Sequence, residues 1–342
     1  MDTSTSDSEA ASWRRFAVAL LLTSAAFLVS FVGLAYVIDP YDTGRSPFFI
    51  KPGVRPQGPR TANASRGRDQ AFNAMIVGNS HIQLISPERL KRATGLDFVQ
   101  LAIPASGAKE HLTLIDWFLR HRAAAPKAIV ISIDDFWCKS DPTLANEKPF
   151  PFWLYSANML EYVKGLVRYD VLEEIPRRVS FYLGIALEQA RPDGYWDYEP
   201  NYIGLGYTTD PAKRQHLKQK LYADAARYDH DPKGGRRQFP AVTKLRALAA
   251  SLPQETALLL LMPPIYSNAL PPPGTEQAFL VQSCKTAVAA VKEDHTRTAV
   301  VDWLVDRPEV RVPEFFFDAS HYRQPIAKAI EADMAKALGQ LR

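Results

Sequence analysis

The stretch AMIVGNSHIQ, residues 74–83, joins a short apolar run to an abrupt polar corner. Four apolar residues followed by Gly-Asn-Ser-His are typical of a buried strand that ends in a turn. A serine at such a place is most often a cap for the following helix. It can also be a nucleophile, provided that other residues supply a base. The remainder of the chain decides between these two interpretations of Ser80.

Short apolar runs alternate with longer helical patterns along much of the chain. The run AIVISI, residues 128–133, is apolar throughout, as expected of a parallel strand that is covered on both faces. The alternation predicts an α/β fold with a doubly wound, mainly parallel five-stranded sheet. The predicted strands are 74–77, 98–103, 128–133, 257–262 and 299–301, and the predicted helices begin near Ser86 or span 109–124, 277–292 and 325–341.

Residues 16–38 form an uncharged apolar run that is long enough to cross a membrane, which takes about 20 residues. Arg14 and Arg15 precede the run and favour a cytoplasmic N-terminus. The run is longer than the apolar part of a typical signal peptide, although a cleaved signal remains the alternative. We expect a cytoplasmic tail over 1–15, one transmembrane anchor that contacts the lipid of the inner (cytoplasmic) membrane, and a periplasmic C-terminal part. Residues 39–71 are rich in Pro, Gly and Arg and are expected to be an extended linker.

The composition bounds the function of the remaining domain, residues 72–342. The chain has 342 residues, of which 46% are apolar, so the domain can bury a sizeable core. Its 41 basic and 37 acidic residues give a net charge of +4, which is too small to indicate nucleic-acid binding. Cys138 and Cys284 either pair or are ordinary buried thiols, and two cysteines are too few for a cysteine-rich metal site. The sequence predicts no metal ion and no cofactor.

Residues 139–245 interrupt the alternation and form a predicted insertion, which at this length is usually functional or disordered. Residues 158–190 are expected to be helical, with a break at Pro176. A basic run over 213–237 is a candidate for binding an anionic polymer, and nearby aromatic rings are candidates for stacking on sugars. Packing and solvated surface charge are the alternatives for these two features. The aromatic residues are Tyr195, Trp196, Tyr198, Tyr202 and Tyr207.

Several polar residues follow predicted strands, where an open parallel sheet binds its ligands. A serine needs a base, and an imidazole serves best when a carboxylate fixes its tautomer. Ser80, His321 and Asp318 complete such a set as nucleophile, general base and orienting carboxylate. The amides of Ser80 and Gly107 are candidate donors to an oxyanion.

Other residues at these ends are assigned lesser roles. His81 ranks below His321 as the base, because a side chain next to the nucleophile on a turn generally points elsewhere. Residues after a strand are also often simple turn residues. The possible substrate-binding residues at these ends are Asn79, His81, Asp134 and Asp135.

The same residues resemble the SGNH (GDSL-like) hydrolase family. Its first block places a serine in a Gly-x-Ser context after the first strand, as in 78–80, and its last block is Asp-x-x-His, as in 318–321. Gly107 is the nearest match to the glycine that supplies an oxyanion amide in the family. Two positions depart from the pattern: Asn79 stands where the GDSL motif has Asp, and the acidic pair 134–135 stands where the third block has an oxyanion asparagine.

This resemblance covers residues 72–135 and 255–342 and implies a flavodoxin-like sheet with a Ser-His-Asp triad. A membrane-anchored domain of this kind is similar to the accessory proteins of extracytoplasmic O-acylation. It implies a serine esterase or O-acyltransferase that acts on acyl esters of a cell-envelope or exported polysaccharide, with a multi-span membrane O-acyltransferase as a partner. The alternative is a non-catalytic subunit that binds polysaccharide or scaffolds an envelope assembly, which the acidic third block favours.

Overall fold

The five apolar runs form one sheet in which every neighbouring pair of strands is parallel. The strand order is β2-β1-β3-β4-β5, so the order reverses beside β1, as in the doubly wound flavodoxin-like arrangement. The prediction of a five-stranded parallel α/β sheet is therefore confirmed. The strands are β1 Ala74–Val77, β2 Phe98–Gln100, β3 Ala128–Ser132, β4 Ala257–Met262 and β5 Thr298–Asp302.

The computed structural model describes residues 4–49, 53, 58–139, 141–144, 148–186, 191–204, 206, 208–228 and 238–341. Its helices are α1 Ser4–Ile38, α2 Pro59–Arg68, α3 Pro87–Thr94, α4 Ala108–Arg120, α5 Asp135–Lys139, α6 Phe152–Tyr155, α7 Met159–Leu166, α8 Tyr169–Tyr182, α9 Glu199–Gly204, α10 Pro211–Ala226, α11 Pro240–Ser251, α12 Glu276–Ala289 and α13 Gln324–Gln340. The predicted start of α3 is confirmed, since the Ser86 side chain accepts a hydrogen bond from the Arg89 amide at 3.3 Å.

Successive residues of each strand point to opposite faces of the sheet, so the sheet belongs to two hydrophobic cores. Met75 and Ile129 face the core that contains apolar side chains of α4, α11 and α12. Ile76 and Val130 face the core that contains those of α3 and α13. All four side chains are fully buried. Because both faces are covered, these strands show no alternation of apolar and polar residues.

α1 carries a segment, Ala10–Ile38, that is long and apolar enough to span a membrane, with a mean hydropathy of 2.3 in its most apolar window. Side chains 10–30 of this helix are exposed, whereas Ala35 and Ile38 are buried in the domain. The length and composition of the helix therefore agree with a single-pass anchor. Its carboxyl-terminal turns are also part of the folded domain.

The described part of residues 39–71 is not an extended linker. α2 lies within it and packs on α4, where the Trp117 indole N–H donates to the Ala64 carbonyl at 3.0 Å. A buried carboxylate, Asp42, accepts a hydrogen bond from the Ser65 hydroxyl at 2.6 Å. The expectation from composition was wrong because it counted polar residues as solvated, whereas several of them are buried against the domain.

The arginines that pair with Asp42 also show that charged residues of this segment are held by the domain. The Arg178 guanidinium of α8 is fully buried and lies 3.0 Å from the Asp42 carboxylate, which Arg68 of α2 also contacts. A buried charge is costly unless it is paired, so these three side chains stabilise one another. They tie the segment that follows α1 to the insertion.

The insertion between β3 and β4 is largely helical, as expected, but its break lies elsewhere. Pro176 sits inside α8, and the interruption falls at 167–168 between α7 and α8. α8 packs against α1 and contributes Val171 and Ile175 to the core, so tertiary packing outweighs the hydrogen bond that proline removes.

A disulfide joins α5 to α12, which settles the alternative left open for the two cysteines. Cys138 and Cys284 are bonded, with their Cα atoms 5.9 Å apart and 146 positions apart in sequence. α5 begins directly after Asp134, so the bond fixes the helix that follows the end of β3. The disulfide thereby restrains one edge of the candidate site.

Replacing both cysteines with serine is expected to lower the free energy of unfolding by about 2–4 kcal/mol, because the bond closes a long loop in the unfolded chain. Chemical denaturation of the full chain in detergent measures this difference. Reduced wild-type protein is the matched control and should behave like the double variant. Equal stability of the oxidised and reduced proteins would contradict the prediction.

Candidate active site

The polar corner after β1 lies beside the end of β3, at the point where the strand order reverses. Gly78 begins the corner, and a Cβ atom at this position would come within 2.5 Å of the Ser132 Cβ and 2.9 Å of Ile82. Only glycine therefore permits this close approach of the two strand ends. A short helical turn follows at Ser80–Ile82, and the Asn79 side chain caps it by accepting from the His81 amide at 3.0 Å.

Ser80, His321 and Asp318 come together as the sequence predicted. The Ser80 hydroxyl lies 2.9 Å from His321 Nε2, across 241 positions of sequence. On the other side of the ring, His321 Nδ1 lies 2.9 Å from each of the two Asp318 carboxylate oxygens. With Nδ1–H donating to Asp318, Nε2 is left to accept the serine proton, which is the tautomer that a general base requires.

The Asp318 carboxylate is held by its own turn. Its Oδ1 accepts from the Ser320 amide at 2.9 Å and from the His321 amide at 2.8 Å. Burial opposes ionisation, but the hydrogen bond and charge of His321, together with the two amides, outweigh it and hold the pKa of Asp318 below its usual range. Asp318 is therefore ionised wherever the histidine can act as a base.

His81 lies beside the triad but has a different partner. Its Nδ1 is 3.4 Å from the Asp134 carboxylate, and its ring centroid is 5.2 Å from that of His321. Asp134 also accepts from the Asn79 side-chain amide and from the Phe136 backbone amide at 3.1 Å. Ser80 thus takes His321 as its partner, and the neighbouring histidine joins a buried polar cluster at the ends of β1 and β3.

The pKa values of His81 and Asp134 are both shifted within this cluster. Burial opposes protonation of His81, but the hydrogen bond and charge of Asp134, with Asp135 and Asp318 nearby, outweigh it and raise the pKa of His81 above its ordinary value. Burial also raises the pKa of the Asp134 carboxyl. Asp135 lies outside the cluster's hydrogen bonds and pairs with Lys139 at 2.9 Å within α5.

The Gly107 amide is committed elsewhere. It donates to the Glu110 carboxylate at 3.0 Å at the start of α4. This differs from the expectation that Gly107 supplies an oxyanion donor, since its N–H already has a strong acceptor. Among the described residues, none accepts a hydrogen bond from the Ser80 amide, which lies at the first position of its helical turn.

A second serine and histidine meet nearby but cannot form a nucleophilic pair. Ser106 Oγ lies 2.8 Å from His111 Nε2, and the Trp137 indole N–H donates to His111 Nδ1 at 3.1 Å. Because Nδ1 accepts, Nε2 carries the proton and cannot take one from Ser106. Burial lowers the pKa of His111 to about 3, so the ring stays neutral. These side chains tie α4 to α5 and have a structural role.

The aromatic segment of the insertion crosses the start of α13, which begins three residues after His321. Tyr198 is buried and its hydroxyl donates to the Tyr322 carbonyl at 3.2 Å, while the Tyr195 hydroxyl accepts from the Gln324 side chain at 3.0 Å. The expectation that Tyr198 stacks on a sugar is therefore wrong. Tyr195 is engaged in packing. Trp196 is 52% exposed and keeps a ring open to solvent.

The other aromatic residues proposed for stacking are described only in part. Tyr207 lies outside the described residues, as does the side chain of Tyr202. The basic run 213–237 is described through Tyr228 and forms most of α10, while residues 229–237 lie outside the described part.

Glu199 joins this segment to the residues between His321 and α13. Its carboxylate accepts from Arg323 at 2.6 and 2.9 Å and from the Gln324 backbone amide at 2.9 Å. At its other end the segment is joined to the sheet edge, since the Gln100 amide of β2 donates to the Asp193 carbonyl at 2.7 Å. We call residues 193–199 the strap. The strap links β2, the edge strand, to Arg323 and Gln324.

Tyr228 was missed by sequence reasoning. Burial raises the pKa of its phenol, and the charges of Asp135, Asp134 and Asp318 add to this shift. The residue lines both a shallow opening beside Asp318 and Ser320 and an enclosed cleft next to His81. No local signal in the basic run around Tyr228 indicated this position.

We call the enclosed space next to His81 the apolar cleft. Its wall is mostly apolar, with side chains from the end of β3, from α5, from β4 and the loop that follows it, and from α12, and the charged residues Asp135, Lys139 and Lys285 also line it. The lining includes His81, Asp134, Tyr228, Met262, Ile265 and Leu280. Within the described ranges, no cluster of three or more His, Cys, Asp or Glu side chains is placed to hold a metal ion.

Comparison with protein-family models and with curated proteins finds no match to this chain. The function is therefore argued from the site itself.

The raised pKa of His81 gives a prediction for stability against pH. Protonated His81 stabilises the fold, and this contribution is complete below the unfolded-state pKa of about 6.5 and is lost as the pH rises through the higher folded-state pKa. We expect the wild type to exceed His81→Gln in free energy of unfolding by more at about pH 6 than at about pH 9.

Denaturation of both proteins across this pH range measures the effect. In an Asp134→Asn background this pH dependence should disappear or reverse, because burial, which opposes protonation of His81, is no longer outweighed by the partner charge. A wild-type advantage that grows with rising pH would contradict the assignment.

Proposed function

We propose that this protein is a membrane-anchored serine esterase or O-acyltransferase that acts on acyl esters of a cell-envelope or exported polysaccharide. The observation that carries the proposal is the chain of hydrogen bonds from Ser80 through His321 to Asp318. A serine that only capped a helix would not require a histidine whose tautomer is fixed by a carboxylate. The resemblance of the 78–80 and 318–321 segments to SGNH hydrolases supports the same reading.

The geometry suits acyl transfer in two half-reactions. The Ser80 oxygen attacks the ester carbonyl while His321 Nε2 takes its proton, and ionised Asp318 stabilises the imidazolium. The C–O bond of the ester then breaks, and His321 returns the proton to the departing alcohol. Water or a sugar hydroxyl next attacks the acyl-serine while His321 accepts its proton, and His321 then returns that proton to the Ser80 oxygen as the bond between the acyl carbon and this oxygen breaks. Water gives hydrolysis, and a sugar hydroxyl gives transfer.

The surroundings of the triad fit an acyl ester of a glycan. The Ser80 amide is available to the developing oxyanion at the first position of its helical turn. The apolar cleft beside His81 offers a place for an acyl group, while the exposed Trp196 ring offers a stacking surface for a sugar. A multi-span membrane O-acyltransferase remains the expected partner under this proposal, as the donor of the acyl group.

One observation favours the non-catalytic alternative. Asp134 stands at the third strand end, where the resemblance places an oxyanion asparagine, and the Gly107 amide is committed to Glu110. Asp134 is paired with His81, however, so its charge is partly balanced within the cluster. A subunit that only binds polysaccharide would keep the fold and the aromatic surface but would not react with esters.

A fluorophosphonate probe is expected to label the full chain in detergent at Ser80, because the base beside this serine activates its hydroxyl. Ser80→Ala should abolish labelling. Asp318→Asn should lower turnover of a chromogenic acetyl ester by about 10⁴-fold, since it leaves the histidine in the wrong tautomer.

Two serines serve as matched controls in this experiment. Ser320→Ala removes the hydroxyl nearest to the other side of His321, and Ser106→Ala removes the buried serine beside His111. Labelling should persist in both. Labelling that survives in Ser80→Ala would overturn the nucleophile, and a folded wild type that reacts with no ester would favour the binding subunit.

The strap gives a separate prediction. Glu199→Gln removes the charge that holds Arg323 and the start of α13, so His321 is less well placed against Ser80. We expect kcat for ester turnover to fall by about tenfold, in line with the loss of charge-assisted hydrogen bonds, while KM changes little.

Steady-state kinetics of the full chain measures this split, and Glu276→Gln on the exposed side of α12 is the matched control. An unchanged kcat in Glu199→Gln, or a rise in KM alone, would show that the strap does not position the histidine.

A further inference from the structure

The carboxyl-terminal turns of α1 are enclosed by the domain, although they belong to the apolar run that spans the membrane. α1 packs against α7 and α8. Phe31, Val32 and Tyr36 are partly buried, and Ala35 and Ile38 are buried. The Tyr36 ring lies against that of Tyr162 on α7, with centroids 6.5 Å apart.

The length of the fully exposed part of α1 is too short to cross a bilayer. Between Phe16 and Ser30, where the side chains are exposed, the helix rises about 22 Å at about 1.5 Å per residue. The hydrocarbon layer is about 30 Å thick. A complete crossing therefore needs roughly one and a half further turns, which are the turns that α7 and α8 cover.

Moving the helix through the bilayer does not remove this constraint. If the hydrocarbon layer covered 10–30 instead, Arg14 and Arg15 would lie within it. Charged side chains at membrane depth are costly, so the position in which both arginines lie among the headgroups, with the layer beginning near Phe16, is the favourable one. The bilayer thus extends to the part of α1 that the domain encloses.

A domain that touches the bilayer at this point needs an apolar surface there. α7 and α8, with the residues that flank them, carry such a surface. More than half of the large apolar side chains exposed after residue 60 in the described part of the chain fall between Met159 and Ile185. Exposed apolar side chains beside charged ones on a helix are typical of helices that lie at a membrane interface. The exposed apolar residues are Met159 and Leu160 of α7, Tyr169, Leu172 and Tyr182 of α8, and Val167, Leu183 and Ile185, which flank these helices.

We propose that α7 and α8 lie in the membrane interface, with these exposed side chains in contact with lipid at the carboxyl-terminal end of α1. The occupant of the surface is the bilayer itself, because the surface is continuous with a helix that already crosses it. The inference depends on the anchor and not on the proposed catalysis. The domain is then held against the membrane by a helix pair as well as by its anchor.

The experiment places a depth-sensitive probe on this surface. Leu160→Cys and Leu172→Cys, made separately in the full chain and reconstituted in phosphatidylcholine vesicles, receive an environment-sensitive fluorophore on the new thiol. Both native cysteines are in the disulfide, so the new thiol is the one that reacts. We expect blue-shifted emission at both positions and loss of that emission when the vesicles contain doxyl-labelled lipid.

Phe279→Cys on α12 is the matched control, because Phe279 is 56% exposed and Leu172 is 52% exposed. Its emission should stay at the wavelength seen in water and should not respond to the quenching lipid. Emission at Leu160 and Leu172 that matches the control would overturn the proposal. Protection of these positions that appears only after a membrane protein is added would also overturn it, in favour of a protein interface.

Discussion

All five strands of this protein run in the same direction, so their carboxyl ends meet along one edge of the sheet. This constraint brings the turn after β1 next to the end of β3 and makes glycine necessary at position 78, where a side chain would collide with Ser132. The candidate site at this edge depends on the parallel direction of the strands. Ser80 and His321 are 241 positions apart, and the sheet makes their hydrogen bond possible.

Two carboxylates at this edge have opposite environments, and the difference assigns their roles. Asp318 is surrounded by donors, namely its own turn amides and the His321 ring, so its pKa is lowered and it remains charged. Asp134 is more deeply buried, and burial raises its pKa while it shares a cluster with Asn79 and His81. The first is suited to stabilising an imidazolium, and the second to shaping the turn that presents Ser80.

The sequence was informative wherever the fold depends on local pattern. The apolar runs gave β1 and β4 with their observed bounds, and Ser86 marked the start of α3. Ser80, Asp318 and His321 were found because strand ends in a parallel sheet are predictable places for a site. What could not be read is long-distance side-chain pairing that no strand end or motif marks.

The strap illustrates this limit. Tyr198 looked like a sugar platform, but its ring is buried and its hydroxyl is used by the chain. The commitment of the Gly107 amide depends on where the Glu110 side chain turns, and the ion pair of Asp42 with Arg178 joins residues 136 positions apart. None of these side-chain pairings has a period or a motif, so the sequence did not indicate them.

The pairing of Asp42 with Arg178 has a consequence for how the domain meets the membrane. A flexible linker would let the site rotate freely above the bilayer, with its reach set by linker length. Here the chain leaves α1 and is buried at once, with Asp42 bonded to α2 and α8 and with Ala35 and Ile38 in the core. Reorienting the domain about α1 would expose apolar surface and separate buried charges, both of which are unfavourable. Under the proposal that α1 anchors the domain in a membrane, the burial of its carboxyl-terminal turns also fixes the orientation of the domain relative to the bilayer.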